Sequence, residues 1–206
     1  MTRNTNFSRK TGETQIQGCL NLDGSQNRNI DTGVAFLDHM LDLLAFHGRF
    51  DLEIKCIGDL DVCPHHTIED TAITLGQAFV KAIGDRKGII RYGSCYLPMD
   101  ETLTRTVLDI SGRPFHVYKG ELSSPSVGNF PTEMVSHFFY SFAINASITL
   151  HQEILYGSND HHKIESLFKG LAVALNIAVQ KRQLIIDNKI SQTRIDENVP
   201  STKKIL

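Results

Sequence analysis

The chain has 206 residues, 41% hydrophobic and 21% charged, with a formal net charge of −2, a balance that suits a globular chain with a sizeable core and excludes a disordered or fibrous one. No apolar run reaches the roughly 18 residues of a membrane span, the start "MTRNTNFSRK" has no apolar signal core, and no basic block marks nucleic acid or membrane as the main partner. Cys19, Cys56, Cys63 and Cys95 form no CxxC pair, so reduced thiols and a cytoplasmic setting are expected, without a disulfide framework or thiolate zinc site.

In chain order, the first strand-like run is "TQIQGCLNLDG", closed by a glycine-marked turn. Phe36, Leu37, Met40, Leu41 and Leu44 then recur at helical spacing, with His39 on another face. The period changes to two in "FDLEIKCI", where Phe50, Leu52, Ile54 and Cys56 share a face, and the turn "GDLD" leads into "HHTIED" and a second helix carrying Ile68, Ala72, Leu75 and Phe79.

The same plan returns. "ETLTRTVLDISGRP" is the strand-like run, and Met134, Val135, Phe138, Phe139 and Phe142 form the helical stripe, with His137 displaced from it. "SITLHQEIL" is the next strand, "GSND" the turn and "HHKIES" the start of a helix whose Ile164, Phe168, Leu171 and Leu175 stand at a constant offset from their first-half counterparts. The expected fold is therefore α+β: two repeated half-domains, residues 1–94 and 95–206, each a small mixed, mostly antiparallel sheet with two helices on one face. Neither half is large, so the two are expected to share one core and make one compact catalytic domain.

With nine histidines in the chain, a random sequence would show one HHxxE on the order of once in fifty chains, and two far more rarely. On a helix His65 and Glu69 point the same way while His66 lies about 100° round, so one helix can serve two sites. The expected assignment is one ion held by His65, Glu69, His137 and His162, and another held by His161, Glu165, His39 and His66. Imidazoles with a carboxylate suit a borderline divalent ion such as manganese, iron or zinc better than calcium. His116 and His151 are read as structural. His47 is either a substrate contact or a helix-end group.

The stretches "LDHMLDLLAFHGRFDL", "HHTIEDTAITLGQA", "PMDE", "SGRP", "HHKIESLFKG" and "VPSTKKIL" resemble imidazoleglycerol-phosphate dehydratase of histidine biosynthesis over nearly the whole chain. The resemblance implies a dimanganese hydro-lyase that converts imidazoleglycerol phosphate to imidazoleacetol phosphate, in an assembly of about 24 subunits with active sites between subunits. It further implies that Glu13 contacts substrate and is the choice for the proton-abstracting base, and that Arg91, Arg113, Lys169, Ser201, Thr202 and Lys203 meet the phosphate or the rest of the substrate. Two departures stand out. Cys63 and Pro64 occupy positions usually acidic in the family, and Lys204 one that is usually glycine, so support for His65 and His66 becomes a question for the structure. The rival readings are a dinuclear-metal phosphoester hydrolase, whose ligands are usually richer in carboxylate, and a non-catalytic metal-binding protein, which would need none of the substrate-facing cations.

Overall fold

A computed structural model describes residues 3–185, 193–195 and 198–201. Four antiparallel or parallel neighbours form the first sheet: β1 (Asn4–Lys10), β2 (Thr14–Asn21), β4 (Asp51–Gly58) and β3 (Arg28–Asp31), in that spatial order. The second sheet repeats the pattern with β5 (Tyr92–Met99), β6 (Thr102–Asp109), β10 (Thr149–Tyr156) and β7 (Phe115–Lys119). In each sheet only the edge strand, β3 or β7, runs parallel to its neighbour. The α+β expectation of two sheets with two helices each therefore matches the architecture. β5 opens the second sheet at Tyr92, slightly ahead of the expected division.

The strands form for a simple reason: Ile16 and Leu20 in β2, and Leu52, Ile54 and Cys56 in β4, alternate with exposed polar residues, so one face of each ribbon must be covered. The cover is four helices, α1 (Ala35–Gly48), α2 (His65–Ile83), α3 (Glu133–Asn145) and α4 (Asp160–Val179). Their packing crosses the repeat: α1 lies on α4 and α2 on α3, with a sheet outside each pair of helices from its own half. One core results. Phe79 of α2 meets Phe142 of α3 at 6.2 Å between ring centroids, and Phe138, Phe139 and Phe168 cluster beside them. Each fully buried phenylalanine of that cluster contributes on the order of 2 kcal/mol.

Gly76 fixes how closely α2 can approach α3, because a Cβ there would stand 2.7 Å from the Phe142 carbonyl oxygen and 2.8 Å from the Ala146 nitrogen. Strands β1, β3, β5 and β7 were not anticipated from the sequence, nor were two short ribbons. β8 (Ser126–Val127) pairs with β9 (Phe130–Pro131), and β11 (Gln183–Ile185) with β12 (Thr193–Ile195), and each is too short to show a period.

The two histidine-bearing helices begin differently. Asn159 caps α4, its side-chain oxygen accepting from the amides of His161 at 2.9 Å and His162 at 3.3 Å. α2 starts at Pro64, whose ring supplies no side-chain cap. Asn159→Ala should accordingly cost about 1 kcal/mol in denaturant unfolding, whereas Pro64→Ala should cost none of that capping energy.

His116, on β7 beneath Tyr140, is pushed down to about 4 by burial. Its ordinary value is 6.5, so between these limits the unfolded chain binds a proton that the folded chain refuses. Stability should fall as pH falls through that window, by at most about 1.4 kcal/mol per pH unit from this group. His116→Gln should flatten the slope, as read from denaturation midpoints across that pH range.

Candidate metal centre

The helix starts explain why histidine pairs can act in two directions. In α2, His65 and Glu69 project together, and α3 brings His137 against them, its Nε2 at 2.8 Å from Glu69 Oε1. In α4, His161 and Glu165 project together with Nε2 at 3.1 Å from Oε2, and α1 brings His39 Nε2 to 3.4 Å from the same oxygen. Each trio offers three ligand atoms within 4.8 Å of one another. Each also draws on both halves of the chain, two residues from one and the third from the other.

Two imidazoles and a carboxylate form a donor set that suits a borderline divalent transition ion, so the residues fit the metal expected from the sequence. Glu165 is well placed to stay ionised. Burial alone would raise its carboxyl, but the hydrogen bond and charge of Lys169, followed by His161 and His39, carry it below the usual carboxylate range.

The second histidine of each pair stands outside these trios. His66 Nδ1 lies 2.9 Å from Asp59 Oδ2, and its Nε2 lies 3.7 Å from Glu13 Oε1. His162 Nδ1 lies 2.8 Å from Glu101 Oε2, and its Nε2 lies 3.8 Å from Asp100. The carboxylate on Nδ1, Asp59 or Glu101, raises the pKa of its imidazole. Within one chain, then, the structure brings together three of the four ligands expected for each ion and sets His66 and His162 apart.

The remaining candidate residues are distributed around these groups. His47, at the end of α1, is lowered by burial and next by the charge of Lys169, which places it on the Glu165 side. Lys169 is paired with Glu165. Arg91 is buried and grips Asp109 through two nitrogens at 2.5 and 2.9 Å, while its third reaches the Pro200 carbonyl at 2.8 Å. It thereby ties the segment 198–201 to the second sheet. Arg113 is exposed, and its backbone is anchored to Ser111 and Thr149. Ser201 is in the tied segment, its amide donating to the Val199 carbonyl at 2.7 Å. Thr202 and Lys203 lie outside the described residues.

Sequence reasoning passed over Asp59, Asp100 and Glu101. A signal was available for Glu101: it stands immediately before the buried Thr102 that opens β6, as Glu13 stands before the buried Thr14 that opens β2. Aligning the opening strands of the two halves would have found it.

The family model described as imidazoleglycerol-phosphate dehydratase matches residues 32–175. Among curated relatives, the imidazoleglycerol-phosphate dehydratase of Methylobacterium radiotolerans is 52% identical over 201 residues, covering 98% of each chain. That of Acetivibrio thermocellus is 50% identical over 206 residues and covers 100% of both. The crystal structure of the Staphylococcus aureus imidazoleglycerol-phosphate dehydratase aligns with a TM-score of 0.80 at 41% identity, covering 87% of this chain and 99% of the other. The Pyrococcus furiosus structure aligns with the same TM-score at 31% identity, covering 97% and 100%.

Proposed function

The chain belongs to the imidazoleglycerol-phosphate dehydratase family and is a hydro-lyase of histidine biosynthesis, and from that premise we propose that it works with two divalent metal ions per active site, manganese first. The observation that carries the metal reading is the pair of His–His–Glu trios. We assign His65, Glu69 and His137 to one ion and His39, His161 and Glu165 to the other. His162 and His66 complete the sets from neighbouring subunits of a 24-subunit homo-oligomer. Exposed apolar side chains near the trios, Val62 ahead of His65 and Tyr140 beside His137, support burial there by a second copy. The two half-domain repeats, divided near residues 94 and 95, act as one catalytic unit. Its free thiols suit the cytoplasm.

The substrate proton that must be removed sits on a carbon with no adjacent carbonyl and is weakly acidic, so elimination needs help from the imidazole ring. Held by the two trios, divalent ions would supply Lewis acidity that favours loss of the substrate's ring N–H proton; the ring electrons can then expel the neighbouring hydroxyl, which leaves with that proton as water. Glu13 then takes the carbon-bound proton, giving an enol that tautomerises to the ketone. Its carboxylate suits the task because it is exposed and accepts no hydrogen bond among the described residues. Lys169, Arg113, His47, Arg91, Ser201, Thr202 and Lys203 are the proposed contacts to phosphate and glycerol oxygens, and Arg91 also donates to the Pro200 carbonyl beside Ser201.

Manganese-loaded protein incubated with imidazoleglycerol phosphate should form a ketone that absorbs in alkali without releasing phosphate. Phosphate release would favour a hydrolase, and no change in either assay would favour a non-catalytic metal-binding protein. Removal of metal by chelator should break the assembly into smaller particles, and unchanged sedimentation after verified metal removal would count against sites shared between subunits.

A further inference from the structure

We infer that Asp59 and Glu101 are positioning residues: each holds the second histidine of its pair by Nδ1, so that Nε2 of His66 and of His162 is the nitrogen presented as a metal donor. The inference rests on the metal reading proposed above and extends it to residues that bind no metal themselves.

The hydrogen bonds determine the tautomer. An ionised carboxylate can only accept, so Nδ1 at 2.9 Å from Asp59 and Nδ1 at 2.8 Å from Glu101 must each carry the proton. In a neutral imidazole the lone pair is then on Nε2, which is the form a metal requires, and the carboxylate also fixes the ring plane and raises ligand basicity. Neither histidine belongs to a trio of its own chain.

The two carboxylates are themselves fixed. Glu101 Oε1 accepts from the amides of Ser158 at 3.0 Å and Asn159 at 2.7 Å and from Thr102 Oγ1 at 3.0 Å, which leaves Oε2 for His162. Asp59 is held through its backbone: its amide donates to the Glu13 carbonyl at 3.2 Å and its carbonyl accepts from Val62 at 2.9 Å. This also answers the question raised by Cys63 and Pro64. His66 keeps an acidic partner, supplied by the turn ahead of those two residues.

Comparing the repeats adds the functional consequence. Glu13 and Glu101 occupy the same place before β2 and β6, yet Glu101 is tied to His162 while the Glu13 side chain is 53% exposed and approaches His66 only at 3.7 Å. In the first half Asp59 performs the task that Glu101 performs in the second. Glu13 is thereby left unattached, as a residue acting on substrate must be.

The test uses full-length Glu101→Gln and Asp59→Ala beside wild type, with Asp59→Asn as the conservative variant. In Glu101→Gln the new side-chain amide can keep its oxygen on the Ser158 and Asn159 amides, which turns its NH₂ toward His162 and drives the ring to the other tautomer. Manganese titration of chelator-treated protein should show affinity weakened about 10- to 100-fold for Glu101→Gln and Asp59→Ala, with much of it restored in Asp59→Asn. Thermal unfolding of the metal-free proteins should stay close to wild type. Unchanged manganese affinity in both variants would overturn the inference while leaving the metal reading intact. Equal loss of metal-free stability and of affinity would also overturn it, since a purely structural role predicts that. A wild type that binds no manganese would remove the metal reading and this inference together.

Discussion

His161→Ala and His65→Ala are each expected to abolish turnover, reducing kcat/KM by at least about a thousandfold. Each removes an imidazole from a different trio, and among the described residues neither trio contains a spare: His161 is grouped with Glu165 and His39, and His65 with Glu69 and His137. Loss of one imidazole leaves its trio with two donors and, with the histidine proposed from the neighbouring subunit, the ion with three of its four, one of the two helices no longer holding it through its histidine. Bound metal should fall in both variants, measured by elemental analysis after gel filtration. Near-normal activity in either variant with one equivalent of metal per chain would defeat the two-ion reading. The histidine rings of both trios are partly exposed, so the losses should come with little change in metal-free stability, which distinguishes them from a folding defect.

Glu13→Gln should lower kcat about 100-fold or more with little change in KM. Glutamine keeps the size and the hydrogen-bonding reach of the side chain and loses only the ability to accept a proton, so substrate should bind and the proton step should fail. If Glu13 only steadied a substrate hydroxyl, glutamine would do much of that work and KM would shift at least as far as kcat. Metal content must match wild type for the comparison to count, because His66 lies next to Glu13. A kcat within a few-fold of wild type would exclude Glu13 as the base.

The helices were the most legible part of the chain, because Phe36 to Leu44 and Met134 to Phe142 repeat at 3.6 residues and that period has no other explanation. β2, β4, β6 and β10 were legible for the corresponding reason, one face being buried and the other wet. β3 and β7 were not. Each is a short edge strand with a blurred alternation, and each pairs in parallel with a strand reached only after a whole helix. At the site, the doubled HHxxE spacing drew attention to the metal-type residues, since spacing along a helix is what a sequence displays. It could not show the partners of His66 and His162. Asp59 and Glu101 lie in turns, where no period marks a side chain, and their role exists only through contacts made after the chain has folded.

That each trio borrows its third member from the other half bears on descent. A single half carries one helix with an HHxxE start and one with a lone histidine, which is an incomplete trio. Two identical halves, packed as α1 packs on α4 and α2 on α3, would complete two trios at once. A half-length ancestor could therefore have bound two ions as a symmetric pair before its gene was duplicated and joined. In one joined chain the two copies need not stay alike, and the attachments of Glu13 and Glu101 do differ between them.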